Sequence, residues 1–427
     1  MPGKLARDVR VYEVGGAVRD ALLGRAIADR DFVVVGATPE MMMASGYRPV
    51  GNDFPVFLHP DTHEEHALAR TERKHGTGYR GFEFFASPDV TLEEDLARRD
   101  LTINAMARDE SGTIIDPFNG RDDLARGILR HVSPAFAEDP LRVLRVARFA
   151  ARFGFRVAPA TRTLMKRIAA SGELATISPE RVWRELAIGL AEATPSRMIE
   201  VLRGCDALAP LLPEVDALFG VPAVDDALAR PRGAAKDAGR RMLQALDRTA
   251  ADRGDLPVRY ATMVQTLGAA ASATAITSGA LARASARHAD ALSARLKAPL
   301  ECRDAGRLAA LYRASAQQGA ALAPARLLDL VQGCDALRRP QRLTTVLGAA
   351  KADACAGGRG QCAFPQADEI EAARAAIAGV DAGAVARSVA RGDRGVERAD
   401  DVRRAIRRAR LAALARWKRE RRAVTGA

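Results

Sequence analysis

The spacing of apolar residues divides this chain into two unlike parts. In the first 130 residues, short apolar segments alternate with Gly, Pro and Asp, which is typical of strands joined by turns and short helices. We predict strands over residues 9–14, 31–36, 55–59 and 66–69, and helices over residues 17–23 and 39–44. From about residue 139 onward, apolar residues recur at helical spacing. The pattern predicts an α+β fold, in which a mixed-sheet head is followed by an all-α remainder.

Two interruptions subdivide the helical remainder. Prolines recur in residues 210–226, and residues 356–366 are rich in glycine, which favours a mobile loop. We expect four domains. They are a head at residues 1–138, a helical neck at 139–205, a helical body at 206–345 and a basic helical tail at 346–427. The tail carries eleven Lys and Arg residues between positions 398 and 422. This density favours contact with RNA over a merely solvated helix face.

The charge and the distribution of apolar residues indicate partner and location. The chain carries a formal charge of +12 at pH 7, which favours a polyanionic partner because Lys and Arg release counterions when they neutralise phosphates. No run of about 18 uncharged apolar residues occurs, so we predict no membrane span. The N-terminal sequence lacks the apolar core of a signal peptide, so we expect a cytoplasmic protein.

The five cysteines are sparse and show no pair spacing of the CxxC kind. This distribution argues against a zinc site and against a disulfide framework. Cys355 and Cys362 are close enough in sequence to close a loop, but reduced and unpaired thiols are the expected state.

Residues 14–36, VGGAVRDALLGRAIADRDFVVVG, carry the main candidates for chemistry. Gly15 and Gly16 make the turn that opens the predicted helix, and these glycines let backbone N–H groups approach a triphosphate, aided by the helix dipole. Arg19, one turn into that helix, can reach the same phosphates. Asp29 and Asp31 begin the next strand, and a period of two puts both carboxylates on one face, where they can share two Mg²⁺ ions about 3.5–4 Å apart. The segment predicts metal-dependent nucleotidyl transfer.

The same segment resembles the nucleotidyltransferase superfamily, and within it the bacterial class II tRNA nucleotidyltransferases, or CCA-adding enzymes. Further segments that resemble motifs of this family are LARRDLTINAMA at 96–107, DPLRVLRVARFAARFGF at 139–155 and SPERVWREL at 178–186. Residues 51–79 resemble the multifunctional branch of the family. The resemblance is dense over residues 11–220 and thin beyond. It implies a nucleotidyltransferase head with a helical neck, and tRNA, CTP and ATP as partners.

The segment at residues 139–155 begins with a candidate for base selection. Asp139 and Arg142 lie three residues apart in a predicted helix, so they are expected to share a face. A carboxylate accepts from an exocyclic amine and a guanidinium donates to ring or carbonyl acceptors, so the pair can mimic the complement of C or A. The resemblance implies that both residues, with Glu138, form a protein template. It also implies that Arg145 and Arg148, farther along this stripe, bind nucleotide.

Other candidates lie in the head. The resemblance implies that Arg99 contacts nucleotide and that Asn104 orders the loop or the sugar. Glu65, at the end of a predicted strand, is a candidate third catalytic carboxylate, with a solvent-facing Glu as the alternative. Residues 70–84 match the position of the family's flexible loop, and the glycines in this segment fit mobility.

The body departs from the family pattern. The multifunctional branch carries an HD phosphohydrolase domain whose metal ligands are His and Asp. Gln265 and Thr266 stand where that His and Asp are expected, and Arg241 stands where another ligand is expected. Gln, Thr and Arg cannot hold a divalent metal in this role. We therefore predict that phosphatase, 2′-nucleotidase and cyclic phosphodiesterase activities are absent.

These observations predict an enzyme that adds CCA to the 3′ end of tRNA from CTP and ATP without a nucleic-acid template, releasing pyrophosphate. Mg²⁺ is the expected cofactor, Asp29 and Asp31 are its expected ligands, and Glu65 is the third catalytic candidate. The alternatives are a poly(A) polymerase, a partial enzyme that adds only CC or only A, and a non-catalytic RNA-binding protein. The oligomeric state stays open between monomer and homodimer.

Overall fold

The computed structural model describes most of the chain, at residues 5–6, 8–27, 29–50, 56–74, 82–223, 235–271, 278–358, 360, 362–392 and 398–425. The chain forms two compact units. The first comprises Met1–Gly189 and Arg197–Leu211, and the second comprises Leu190–Ser196 and Leu212–Ala427. The division into four domains stays a prediction.

The first unit contains the strands. They are β1 (Arg10–Val14), β2 (Asp31–Val35), β3 (Arg48–Val50), β4 (Val56–Leu58), β5 (Glu65–Leu68), β6 (Arg70–Lys74), β7 (Phe82–Ala86), β8 (Ala107–Arg108), β9 (Ile114–Ile115), β10 (Ile128–Leu129) and β11 (Arg156–Val157). Seven of these form one sheet in the order β3-β4-β5-β2-β1-β8-β9. Within it β2 and β5 are parallel and the other neighbours are antiparallel. The sheet is therefore mixed, as predicted.

Helices surround this sheet and continue the chain. The first unit holds α1 (Gly16–Leu22), α2 (Pro39–Ala44), α3 (Leu92–Ala97), α4 (Gly120–Ala125), α5 (Leu141–Phe153) and α6 (Pro159–Ala170). Next come α7 (Pro179–Ala191), α8 (Ser196–Gly204) and α9 (Leu208–Leu211). The second unit continues with α10 (Pro213–Asp216), α11 (Ala238–Ala251), α12 (Leu256–Val264), α13 (Ser278–Arg295), α14 (Leu300–Gln318), α15 (Pro324–Gly333), α16 (Pro340–Ala354), α17 (Pro365–Ala378), α18 (Ala382–Gly392) and α19 (Arg398–Thr425). The predicted α+β class is confirmed.

Side-chain alternation gives the large sheet two different faces. On the front face, Val14 and Val33 pack against Leu96 of α3. On the rear face, Val34 packs against Met42 of α2. Because both faces are covered, the central strands read as almost continuous apolar runs. A polar residue in these strands is therefore placed on one identifiable face.

The segment predicted as a flexible loop at residues 70–84 contains two strands. β6 and β7 pair antiparallel, from Arg70 opposite Ala86 to Lys74 opposite Phe82. Within the predicted loop, residues 70–74 and 82–84 are therefore strand residues. The glycines on which mobility was predicted lie at residues 76, 78 and 81, outside the described residues.

The second unit is organised around long helices. One apolar cluster joins α15, α16, α17 and α19 through buried residues such as Leu330, Leu343, Ile370 and Leu414. Leu414 is fully buried, so the arginine-rich helix α19 is fixed by an apolar stripe on one side. Among the described helices, none is long and apolar enough to cross a membrane.

One expectation about the cysteines is wrong. Cys355 and Cys362 form a disulfide, with Cα atoms 6.0 Å apart. The end of α16 and the segment before α17 bring the two thiols together across the glycine-rich turn, a proximity that the sparse spacing of cysteines did not indicate. Among the described residues, the other cysteines are buried free thiols, namely Cys205, Cys302 and Cys334.

Candidate active site

An open cleft in the first unit collects almost all of the site residues predicted from the sequence. Its volume is about 640 Å³, and its walls carry eight arginines and five aspartates. The lining residues are Gly15, Gly16, Ala17, Arg19, Asp20, Ile27, Asp29, Asp31, Arg70, Arg99, Asp100, Asn104, Asp139, Leu141, Arg142, Arg145, Arg148, Phe149, Arg152 and Arg181. The excess of arginine makes the cleft attractive to a polyphosphate. Of the predicted site residues, Glu65 and Glu138 lie outside this lining.

The turn between β1 and α1 needs glycine. Gly15 has a φ of 70°, a conformation that side chains rarely tolerate, and its N–H donates to the Met106 carbonyl at 3.1 Å. A Cβ at this position would lie 2.9 Å from Nη1 of Arg99. The glycine therefore allows the Arg99 guanidinium to lie against the backbone beside Gly16, the first residue of α1.

Asp29 and Asp31 enter the cleft from the beginning of β2. Asp31 is the first residue of the strand, whereas Asp29 precedes it, so the prediction that both lie within a strand is wrong for Asp29. Asp31 reaches solvent through the cleft, yet burial by the cleft walls raises its pKa. The Arg99 guanidinium lowers that pKa, and the neighbouring Asp29 charge raises it further. The two carboxylates are thus close enough to repel each other.

This donor set fits a divalent cation. Carboxylate oxygens are the hard ligands that Mg²⁺ prefers, and such ions are held by one or two carboxylates together with water and substrate phosphates. Among the described residues, no group of three or more His, Cys, Asp or Glu is arranged to hold a metal. An ion at Asp29 and Asp31 would therefore depend on the phosphates of the substrate for its remaining ligands.

Glu65 lies beside the aspartates in the sheet. It is the direct partner of Asp31 in the parallel β2–β5 register, and residues paired in this way point to the same face. Its side chain is exposed. Its role as a third catalytic carboxylate stays a prediction.

A network of buried carboxylates holds the arginines of the cleft in place. Arg19 donates from Nε to Asp20 at 2.8 Å and from Nη1 to Asn104 at 2.5 Å. Asp20 also accepts from Nη2 of Arg152 on α5 at 2.9 Å. Asp20 and Arg152 could not be predicted as site residues, since they are far apart in the chain and only the fold joins them. The only local signal was the position of Asp20 next to Arg19.

Two further arginines of α5 have their own anionic partners. Arg145 donates to Asp100 at 2.8 Å, and Arg148 donates to Glu185 of α7 at 2.6 Å. Burial alone would raise the pKa of Asp100, but Arg145 and Asn104 hold it well below its usual range. Asp100 therefore stays ionised and keeps Arg145 oriented. Glu185 lies in the segment that resembles a neck motif, although it was not singled out.

Asp139 lies before α5 and not on it. Its φ and ψ are −111° and 104°, because the following Pro140 disfavours helical backbone at the preceding residue. The prediction that Asp139 and Arg142 share a helix face is therefore wrong, yet both line the same cleft. Asp139 accepts from the N–H of Leu141 at 3.0 Å and from Nη2 of Arg181 at 2.9 Å.

The guanidinium of Arg142 is fixed by the backbone. It donates to the carbonyls of Ala135 at 2.8 Å and of Arg98 at 2.6 Å. Arg99 donates to the fully buried Asp95 at 3.2 Å. Burial alone would raise the pKa of Asp95, but Arg99 and Arg98 lower it, so it remains an anion. The cleft thus presents prearranged cations with known orientations.

A second group of charged residues lies in the second unit. Asp353 is fully enclosed, accepting from Arg241 at 2.8 Å, from Arg313 at 2.9 Å and from Gln317 at 2.9 Å. Gln265 donates to the Ala349 carbonyl at 3.1 Å. Arg241, Arg313, Gln265 and Asp353 line a void of only about 10 Å³, which is about the space of one water molecule.

Comparisons with known proteins agree with this architecture. Residues 11–130 match the family described as the poly A polymerase head domain, and residues 154–219 match the family described as the probable RNA and SrmB-binding site of polymerase A. A multifunctional CCA protein from Azoarcus sp. (strain BH72) is 54% identical over 387 residues, which cover 90% of this chain and 92% of that protein.

Another relative and a solved structure extend the agreement. The multifunctional CCA protein of Halorhodospira halophila is 52% identical over 412 residues, covering 93% of this chain and 95% of the relative. The crystal structure of the Bacillus stearothermophilus CCA-adding enzyme in complex with CTP is 26% identical, with a TM-score of 0.62 over 97% of this chain and 94% of that one. On this evidence the chain belongs to the multifunctional CCA protein family.

Proposed function

We propose that this chain adds C, C and A in turn to the 3′ end of tRNA, from CTP and ATP, at the cleft of the first unit. The observation that carries the proposal is the juxtaposition of two kinds of group in one cleft. Asp29 and Asp31 supply carboxylates for a divalent cation, and Asp139 and Arg142 supply an acceptor and a donor, respectively, for a base. Transfer needs the first pair, and selection of C and A needs the second.

The arginines bind the triphosphate. Arg19, Arg145, Arg148 and Arg152 line the cleft and are held by buried anions, so little reorganisation is needed when phosphate charge arrives. A divalent cation at Asp29 and Asp31, Mg²⁺ in our proposal, would activate the 3′-hydroxyl and screen the charge of the leaving pyrophosphate. Catalysis then rests on positioning and electrostatics without a covalent intermediate.

Base selection follows from the chemistry of Asp139 and Arg142. Cytosine and adenine both present an exocyclic amine beside an unprotonated ring nitrogen, so a carboxylate can accept from the first and a guanidinium can donate to the second. Uracil and guanine present a carbonyl beside a ring N–H, which reverses both contacts. The two backbone carbonyls that accept from Arg142 hold its guanidinium in one orientation, which makes this selection of bases rigid.

The proposal extends to the second unit. Both oxygens of the Asp353 carboxylate are engaged by Arg241, Arg313 and Gln317, and the adjoining void offers about the space of one water molecule. We infer that phosphohydrolase activity is absent in this chain, although its relatives are named multifunctional. We also infer that the exposed arginines of α19 contact the tRNA backbone, while Leu414 fixes the opposite side of the helix.

A tRNA without its 3′-terminal CCA tests the proposal. Incubated with both CTP and ATP, it should gain three nucleotides and stop, and CTP alone should give two. A long A tail would instead indicate a poly(A) polymerase, which the match to the poly A polymerase head keeps as the second candidate. A stop after CC with both nucleotides would indicate a partial enzyme, and no extension would indicate a non-catalytic RNA-binding protein. In the same assay Asp139→Ala should admit UTP.

A further inference from the structure

The rear face of the sheet carries a buried charge directly behind the proposed metal site. Glu13 of β1 is only 5% exposed, on the face where its partners in register are Phe32 of β2 and Arg108 of β8. One oxygen of its carboxylate lies 2.9 Å from Nε of Arg30, and the other accepts from Nε of Arg108 on β8 at 2.7 Å. A buried carboxylate costs free energy unless it is paired, and here two arginines pair with it.

One of these two arginines lies between the candidate metal ligands. Arg30 separates Asp29 from Asp31, and along an extended chain its side chain points opposite to theirs. Its guanidinium therefore lies at the rear, against Glu13 and 4.0 Å from Glu64. The side chain of Arg30 remains 48% exposed, so burial of its apolar part does not explain why it is held there.

The tether matters because of where the strand begins. The register of β1 with β2 ends at the pair Val14–Asp31, so Asp29 and Arg30 lie beyond the paired residues of this ladder. The two carboxylates also repel each other, which pushes Asp29 away from Asp31. An ion pair to the rear face opposes this displacement, because rotation of Arg30 toward the front would break it.

We propose that Glu13 is a positioning residue for the proposed metal site, acting through Arg30 to keep the Asp29 carboxylate beside that of Asp31. The inference rests on the proposed metal-binding role of these two aspartates. Glu13 itself lies on the rear face and does not touch substrate. Residues behind metal ligands commonly change metal affinity by about 10–100-fold when they are removed.

The chain offers a matched control for a purely structural role. Arg108 contacts the same carboxylate, but it lies on β8, which is not a neighbour of the strand that begins at Asp31. If Glu13 only stabilises the sheet, then Glu13→Gln and Arg108→Met should have similar effects on Mn²⁺ binding and on the melting temperature. If Glu13 positions the aspartates, only variants of Glu13 and Arg30 should change metal binding.

The experiment measures Mn²⁺ binding by electron paramagnetic resonance, with CTP present, tRNA absent and protein in excess. We expect Glu13→Gln and Arg30→Met each to weaken Mn²⁺ binding about tenfold, and the double variant to lose no more than either. Arg108→Met should lower the melting temperature and keep the wild-type Mn²⁺ affinity. Because Arg30 is half exposed, Arg30→Met tests the link even if Glu13→Gln folds poorly.

Two outcomes would overturn the inference. One is wild-type Mn²⁺ affinity in both Glu13→Gln and Arg30→Met, and the other is an equal loss of affinity in Arg108→Met. Asp31→Asn separates these results from a failure of the proposed function. If Asp31→Asn abolishes Mn²⁺ binding while the Glu13 and Arg30 variants do not change it, only the positioning role is wrong. If Asp31→Asn also binds normally, the metal assignment itself is wrong.

Discussion

The cleft of the first unit and the buried cluster of the second are built from the same residue types. Both combine aspartates with arginines, yet the cleft has a volume of about 640 Å³ and the cluster encloses about 10 Å³. In the cluster, every oxygen of Asp353 is engaged by a cationic or amide donor. In the cleft, arginines are held by ion pairs with Asp20, Asp100 and Glu185. Asp29 and Asp31, by contrast, remain open to the cleft.

The difference shows what turns a charged cluster into a site. A carboxylate binds a metal ion through free lone pairs and needs space for the ion and its other ligands. In the cluster both oxygens of Asp353 already accept from cationic or amide donors, and the space is that of about one water molecule. Its guanidiniums supply the positive charge that a metal would supply, so Asp353 is neutralised without one. Charge that is neutralised inside the protein stabilises a fold, and charge that is left for a ligand supports binding and chemistry.

The largest expected effect is on activity. Asp31→Asn keeps the shape of the side chain and removes the charge, so CTP incorporation should fall by about three orders of magnitude, as for loss of a main electrostatic group. Single-turnover incorporation into tRNA and tRNA binding by filter retention would measure it. The matched control is Asp122→Asn in the exposed pair with Arg126, which should retain activity. Incorporation near the wild-type rate in Asp31→Asn would remove this aspartate from the mechanism.

The next largest effect is on stability and concerns the buried cluster around Asp353. Asp353→Asn leaves the buried Arg241 and Arg313 without their counter-charge, so the free energy of unfolding should fall by about 3–5 kcal/mol. Urea unfolding of Asp353→Asn and of the control variant Asp335→Asn measures this difference. Asp335→Asn breaks the exposed pair with Arg338 and should cost under about 1 kcal/mol. Incorporation per folded molecule should not change. A loss for Asp353→Asn as small as that for Asp335→Asn would mean that the cluster is not a stability element.

The smallest effect is a difference in the sign of the pH dependence. The folded-state pKa of Asp353 is lowered, since Arg313 and Arg241 outweigh burial, so its contribution to stability is present above about pH 4 and lost in acid. The pKa of Asp31 is raised by burial, so its contribution is present below about pH 4 and is lost as the pH rises through the raised value.

Melting curves between pH 3 and pH 8 test this contrast. Asp353→Asn should be less stable than wild type at neutral pH, with the gap closing in acid. Asp31→Asn should be slightly more stable at neutral pH, with that gap also closing in acid. Gaps of the same sign for the two variants would contradict the contrast.

The sequence identified most of the cleft because the responsible residues occur in short local patterns. The glycine pair, Arg19 and the two aspartates lie within one strand–turn–helix–strand segment, and the α5 arginines lie on one helix. The partners Asp20–Arg152 and Arg148–Glu185 could not be predicted, since the members of each pair are separated by 132 and 37 residues. The position of Asp139 ahead of the helix followed from Pro140, a local signal that the helical spacing obscured.

The sequence by itself determined the α+β class and the location of the carboxylates and arginines along the chain, and it led to the prediction that metal ligands are missing at Arg241, Gln265 and Thr266. These are properties of local pattern and residue type, which do not depend on distant contacts. Only the tertiary structure decided which charges are neutralised and which stay available, because that depends on partners brought together across many residues. The same reason explains the Cys355–Cys362 pair and the role proposed for Glu13.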